Sequence, residues 1–200
     1  MTTPSRRRAV IWGGLGLALG SSVLRAAQAA VVVEGYTFAA KIKLGGSELV
    51  LNGTGVRAVA WLKGYAAGLY LAQKATDPQA VQALPGPKRL RMAMLQDVPA
   101  PEFSKAFVKG VSRNTEAAEL ERLQARIQQF AQWIEEGGQV RKSDVIDLDY
   151  LPAEGTLLTV NGQRRGKVLP GEDFYSALLR SFVGQRPFDA KLKAGLLGLA

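Results

Sequence analysis

The chain has 200 residues, of which 47% are hydrophobic and 22% are charged, the balance of a folded globular protein rather than of a disordered one. It contains neither cysteine nor histidine, which excludes disulfides, thiolate nucleophiles, zinc sites of the Cys/His type and haem with a histidine ligand. The net charge of +9 is the one bulk feature that suggests nucleic-acid binding.

The first predicted element is a secretory signal peptide over residues 1–29. Three arginines end the run at residues 5–8, an apolar stretch follows to about residue 20, and Ala27-Gln28-Ala29 forms a small-residue cleavage site. The apolar stretch is too short and too rich in glycine for a transmembrane helix, and the arginine pair loosely matches a twin-arginine signal. We therefore expect an exported, periplasmic protein without stable membrane insertion after cleavage, the alternative being an uncleaved N-terminal anchor.

Removal of this segment lowers the net charge and weakens the indication of nucleic-acid binding. The segment holds four of the 26 basic residues and none of the 17 acidic ones, so 22 basic residues remain and the net charge falls to +5. These residues are spread along the chain and mixed with acids. We expect a solvated basic surface and no nucleic acid among the partners.

The first half of the mature chain has the alternation and the turn residues of an antiparallel sheet. Gly45-Gly46, Asn52-Gly53 and Lys63-Gly64 are predicted to form turns. A short helix is predicted to begin at Asp77-Pro78, with Asp77 as its N-cap. The predicted strands cover residues 31–43, 48–51, 56–62, 65–72 and 89–95.

The hydrophobic period then changes from strand to helix. Phe103, Phe107 and Val111 recur at every fourth residue and predict an amphipathic helix over residues 101–113. A longer helix is predicted from Thr115 to the Gly137-Gly138 pair that ends it. Further strands are predicted over residues 144–150, 156–160 and 163–169, and further helices over residues 170–183 and 189–199.

This order of elements defines the expected fold class. Hairpins dominate the connections between the strands, so the sheet should be mostly antiparallel. Strands, helices, strands and helices in turn predict one α+β domain over residues 31–200, in which the helices form a layer on one face of the sheet.

Arg57 is the residue least expected at its position. In a strand over residues 56–62 it shares a face with Val59 and Trp61. An arginine on an apolar face must be paired or extend its head group to water, and its five donors suit a carboxylate or a phenolate. A hairpin through Lys63-Gly64 would bring the Tyr65 hydroxyl near it. The alternative is an edge-strand arginine that reaches solvent or pairs with a local glutamate.

Other candidate sites are weaker. Asp144, Asp147 and Asp149 form a carboxylate cluster, and because Asp147 and Asp149 share a strand face, a metal site is one interpretation. We favour a solvated outer face for these residues and expect no metal site. Arg164-Arg165 follows a predicted hairpin turn and is expected to be exposed.

The chain resembles the chalcone isomerase-like proteins, most closely their bacterial exported branch. The resemblance rests on several runs in the family's order: LNGTGVR at residues 51–57, YAAGLYL at 65–71, PEFS at 101–104, GEDFY at 171–175 and PFDAKLK at 187–193. Together they span nearly all of residues 31–200. The resemblance implies an open-faced β-sandwich, an antiparallel sheet backed by helices with a ligand cleft between the two layers.

The resemblance also bears on catalysis. In the plant enzymes an arginine steers the ring closure of a chalcone to a flavanone, helped by threonine, tyrosine and asparagine side chains. Arg57 matches the arginine, but Phe103 stands at the tyrosine position and Gly110 at the asparagine position. Tyr65 replaces the strand threonine, and Ser181 matches another pocket threonine. Losing the tyrosine donor costs about 2–4 kcal/mol of transition-state stabilisation, which argues against chalcone isomerase activity.

Arginine and tyrosine are instead the pair with which non-catalytic relatives, similar to fatty-acid-binding proteins, hold a carboxylate. The resemblance therefore implies a non-catalytic protein that binds a fatty acid or similar apolar carboxylate through Arg57 and Tyr65. Phe103 and Ser181 are expected to line the cleft, and no cofactor is expected. Two alternatives remain: an isomerase or intramolecular lyase that uses Arg57 as electrophile, and a periplasmic interaction protein without a ligand.

Overall fold

The computed structural model describes residues 29–59 and 62–200, and of Val59 only the backbone. Apart from Ala29, the predicted signal peptide lies outside the described residues, as does Trp61. Within the described ranges, no helix is long and apolar enough to cross a membrane.

Seven strands of the described chain form one antiparallel sheet in which each strand pairs with the next along the sequence. They are β3 (Lys41–Leu44), β4 (Ser47–Val59), β5 (Leu62–Leu71), β6 (Lys88–Met94), β7 (Val145–Leu151), β8 (Gly155–Val160) and β9 (Gln163–Leu169). A separate hairpin, β1 (Val31–Val33) and β2 (Tyr36–Phe38), precedes the sheet. The sheet follows the chain order because short reversals join most of its strands.

The helices gather on one face of this sheet, here called the inner face. They are α1 (Pro78–Ala83), α2 (Ala100–Arg113), α3 (Ala117–Glu136), α4 (Glu172–Val183) and α5 (Ala190–Leu196). Helix α1 begins as predicted, since the Asp77 carboxylate accepts the backbone N–H of Ala80 at 2.8 Å. The α+β class and the helical layer on an antiparallel sheet are confirmed.

The core lies mainly between the inner face and the helices. Leu69, Met92 and Leu148 of the sheet pack there against Phe107 of α2 and Phe130 of α3. A smaller apolar cluster on the outer face packs under the β1–β2 hairpin and contains Phe38, Leu49, Leu51, Ala66 and Tyr70. The two faces therefore differ in cover, which is the arrangement of an open-faced sandwich.

The predicted single strand over residues 31–43 is wrong, because three short strands occupy that segment. Glu34 and Gly35 both have positive φ, 50° and 80°, the geometry of a tight hairpin turn that folds β2 back on β1. The predicted return of β3 onto the segment after Gly45-Gly46 is confirmed.

The turn predicted at Asn52-Gly53 is also wrong, since β4 runs through both residues. The Asn52 side chain donates to the carbonyls of Ala75 at 2.9 Å and Leu196 at 2.8 Å, and accepts the N–H of Ala75 at 2.8 Å. At Gly53 the backbone of Gly195 in α5 lies where a side chain would project. These two residues are therefore selected by long-range contacts and not by a turn.

The second hairpin reverses earlier than predicted. Lys63 and Gly64 lie inside β5, and Val59 pairs with Leu62 across the reversal. A register shift after Arg57 accommodates Gly64 as an extra residue. Tyr65 nevertheless pairs directly with Arg57, so the expected closeness of these two residues is confirmed.

The aspartates of β7 are not on a solvated face. Asp147 and Asp149 are 5% and 4% exposed. Asp147 accepts two hydrogen bonds from Arg91 at 2.7 Å, and Asp149 is held in the same two-point manner by Arg89, with one bond of 2.6 Å. These ion pairs occupy the carboxylates, and in the part of the chain that the structure describes no cluster of acidic residues is arranged to hold a metal ion.

Candidate functional site

Arg57 lies near the end of β4 on the inner face, directly opposite Tyr65 of β5. The residue is half-buried, and its Nε atom is shielded from solvent without a hydrogen-bond acceptor. No ion pair joins Arg57 to an acidic residue of the described ranges. The alternative of a glutamate-paired arginine therefore does not describe this side chain.

Tyr65 adds a second unpaired polar group beside the first. The residue is 3% exposed and its hydroxyl has no hydrogen-bond partner. Burial raises the pKa of the Tyr65 phenol to about 12, although the nearby Arg57 charge acts to lower it. The phenol is therefore protonated at neutral pH and available as a donor.

Phe188 covers Arg57 from the side of the helices. The centre of its ring lies 4.8 Å from the Arg57 guanidinium, and the Tyr65 ring lies at 5.8 Å. Arg113 approaches the same Phe188 ring at 5.7 Å. Such distances allow cation–π attraction, which partly offsets the cost of keeping a guanidinium from water.

Three contacts fix Phe188 in this place. Its N–H donates to the carbonyl of Ser181 at 2.8 Å, and Arg113 donates to the carbonyl of the preceding Pro187. Its ring packs where any side chain at Gly110 would project. Phe188 thus fills the space beside Gly110, the position that matches the asparagine of the plant enzymes.

Ser181 contributes to the position of Phe188 through its backbone carbonyl. It is 1% exposed, and its hydroxyl has no partner. Ser181 is not among the residues that line the cavity at Arg57, whereas Phe103, also predicted there, is one of them. Sequence reasoning missed Phe188 as a site residue, and the only available indication was its place in the family-like run at residues 187–193.

The cavity at Arg57 and Tyr65 is small and apolar. Its wall also includes Met92, Phe107, Phe130, Leu148 and Phe182. The volume is about 30 Å³, which is room for about two water molecules and about a tenth of the smallest usual ligand pocket. The expected open cleft beside Arg57 is therefore not formed, because aromatic side chains fill it.

A larger space adjoins this cavity. Phe103, Ile134 and Leu158 line both the cavity and a neighbouring cleft of about 390 Å³, here called the outer cleft. Trp133 and Val140 complete its apolar wall. Phe103 is half-buried and lies between the two spaces.

A third cleft, larger than these two spaces, lies elsewhere. It has a volume of about 970 Å³, opens between α1 and the connection from α2 to α3, and is lined mainly by polar side chains. Neither Arg57 nor Tyr65 reaches it.

An antiparallel sheet, a helical layer and an arginine without an ion pair between them define an open-faced α+β protein with a half-buried cationic site. A family model described as chalcone isomerase-like matches residues 30–198. The chain belongs to the chalcone isomerase-like family.

Comparison with solved structures agrees with this assignment. A fatty-acid binding protein of Arabidopsis thaliana has the same fold, with a TM-score of 0.63 and 16% sequence identity. The alignment covers 84% of this chain and 95% of the plant protein. No curated protein matches the chain.

Proposed function

We propose that the protein binds a fatty acid or a similar apolar carboxylate. Arg57 and Tyr65 hold the acid group, and the space between the sheet and the helices holds the tail. The observation that carries the proposal is the pair of adjacent buried donors, Arg57 Nε and the Tyr65 hydroxyl, that have no acceptor. Each unpaired buried group costs about 1–3 kcal/mol, and a carboxylate would satisfy both at once.

The solved relative supports the same ligand class. The plant protein of the same fold is a fatty-acid binding protein. At 16% identity the likeness extends to the fold, so the ligand class of this chain rests on its own Arg57 and Tyr65.

Binding requires the cavity to widen. A volume of about 30 Å³ does not admit an alkyl chain, whereas the outer cleft offers about 390 Å³. Phe103 and Phe188 are the half-buried aromatic residues of the cavity wall, so their displacement disturbs the core least. The free energy needed to displace these two rings makes binding correspondingly weaker.

Arg57→Met tests the carboxylate site directly. Titration calorimetry of the delipidated mature protein with dodecanoic acid should show binding that the variant weakens by about 1.5–3 kcal/mol, the value of a hydrogen bond to a charged group. Arg164→Met, a change at an exposed arginine, is the matched control and should leave binding unchanged. Equal affinity of Arg57→Met and wild type would contradict the proposal.

The same variants separate binding from catalysis. Tyr65 is the donor beside Arg57 that an isomerase would need, while Phe103 in the cavity wall offers none. We expect no turnover of a chalcone in a spectrophotometric assay. Turnover that Arg57→Met abolishes would establish the isomerase alternative.

The proposed cellular location is the periplasm, reached through cleavage of residues 1–29. Edman sequencing of the protein purified from the periplasmic fraction should begin at Ala30. An intact N-terminus in the membrane fraction would instead establish the anchored form.

A further inference from the structure

We propose that the ligand of this site carries a second acidic group at its far end, held by Arg165, so that the preferred ligands are long-chain α,ω-dicarboxylates. This inference rests on the proposed function, because it assigns the other end of the same ligand. Arg165 was expected to be exposed, but it is half-buried in the structure.

Arg165 is directed into the space between the layers. It pairs with Leu158 across β8 and β9, and residues directly opposite each other in a sheet share a face. Leu158 belongs to the inner core, so Arg165 lies on the inner face. It is half-buried, and its Nε atom is shielded from solvent without an acceptor, the same condition as that of Arg57.

The charged groups around Arg165 leave its guanidinium free. Asp144 and Arg141 line the same outer cleft. The Asp144 carboxylate already accepts the N–H of Arg141 at 2.7 Å and the Asn161 amide at 2.8 Å. The Arg165 charge helps to lower the Asp144 pKa, after the hydrogen bonds from Arg141 and Asn161, yet no ion pair joins the two side chains in the described structure.

The two arginines line two neighbouring spaces that share part of their apolar wall. Arg57 lines the small cavity, Arg165 lines the outer cleft, and Phe103, Ile134 and Leu158 form the wall that the two spaces share. A simple fatty acid anchored at Arg57 would place its methyl end against an unpaired guanidinium. A second carboxylate at that end would pair with it in the two-point geometry that arginine favours.

The test compares dodecanoic acid with dodecanedioic, tetradecanedioic and hexadecanedioic acids by titration calorimetry of the mature protein. Wild type should bind at least one diacid about tenfold more tightly than Arg165→Met does, a factor that corresponds to one charge-assisted hydrogen bond. The affinity for dodecanoic acid should be the same in both proteins within about twofold. The neighbouring exposed Arg164, changed to Met, is the matched control and should alter neither affinity.

The outcomes distinguish this inference from the proposed function. If Arg165→Met leaves every diacid affinity unchanged, or weakens the monoacid and the diacids equally, the second anchor is wrong while Arg57-dependent binding stands. If wild type binds none of the acids, or if Arg165→Met and not Arg57→Met abolishes monoacid binding, the proposed function fails and the second anchor with it.

Discussion

The guanidinium of Arg57 lies 4.8 Å from the centre of the Phe188 ring, and this contact closes the candidate site. Phe188 also packs on Gly110 and contacts Arg113. Arg57 therefore stands at the position of the arginine in the related plant enzymes, but the Phe188 ring occupies the space beside it. A ligand must displace that ring or pass by Phe103.

Gly110→Ala tests how tightly Phe188 is packed. Replacing glycine by alanine inside a helix normally adds about 1 kcal/mol of stability. Here the new methyl group collides with the Phe188 ring, so we expect a loss measured by urea unfolding. In the Phe188→Ala background the same change should become stabilising, and a double-mutant cycle measures the coupling. Additive effects of the two changes would show that the ring does not occupy this space.

Tyr65→Phe separates stability from binding. The hydroxyl is buried without a partner, so its removal should leave the free energy of unfolding unchanged or raise it by up to about 1 kcal/mol. Fatty-acid affinity should fall by about 0.5–1.5 kcal/mol, the value of one hydrogen bond. Urea unfolding and titration calorimetry on the same samples check both parts. A destabilised protein with unchanged affinity would assign Tyr65 a structural role only.

Asp147→Asn should strongly destabilise the sheet. Asp147 is 5% exposed and neutralises Arg91 through two hydrogen bonds of 2.7 Å, and breaking a buried pair from one side costs about 3–5 kcal/mol. Asp173→Asn is the control, because Asp173 binds Arg126 in the same two-point geometry but its side chain is 48% exposed. That pair should contribute under about 1 kcal/mol. Equal losses in urea unfolding would contradict the assigned role of burial.

Lys88→Met tests a buried ammonium group. The Lys88 side chain is 2% exposed, and its ion pair with the half-exposed Glu172 has a length of 3.4 Å. Burial lowers the Lys88 pKa more than Glu172 raises it. The unfolded chain therefore holds this proton to higher pH than the folded chain does, so the stability of wild type rises with pH as the folded protein releases the proton.

We accordingly expect Lys88→Met to be as stable as wild type, or more stable, at pH 7. Wild type should become more stable relative to Lys88→Met as the pH rises from the lowered pKa of folded Lys88 toward the ordinary lysine pKa. Urea unfolding at a series of pH values measures this shift. A constant difference across the series would show that the Lys88 pKa is not altered by folding.

The fold was predictable because its local patterns agree with one another. The alternation in β7, the four-residue period of α2 and the Asp77-Pro78 cap each determine an element by neighbouring residues alone. Asn52-Gly53 was misassigned because its partners, Ala75 and Leu196, are distant in sequence. Local turn propensity carries no information about such contacts.

The candidate site was predictable only in part. A hairpin between the two strands predicts that Arg57 and Tyr65 lie close together, whereas the register that sets them directly opposite each other depends on the extra residue Gly64. The place of Phe188 depends on its contact with Gly110, and five helices and strands lie between these two residues in the sequence. The ion pairs of Asp147 and Asp149 could have been predicted from the sequence. Arg89 and Arg91 have the same two-residue spacing, and they lie in the adjacent strand.

The most direct test of the central claim is the titration of the carboxyl carbon of bound ¹³C-labelled dodecanoic acid by NMR. If the Arg57 guanidinium pairs with the carboxylate, the pKa of the bound acid should lie below that of the same acid in water, and Arg57→Met should raise it. A bound carboxyl group whose pKa is raised in the wild-type protein, or is the same in both proteins, would show that the acid group lies away from Arg57.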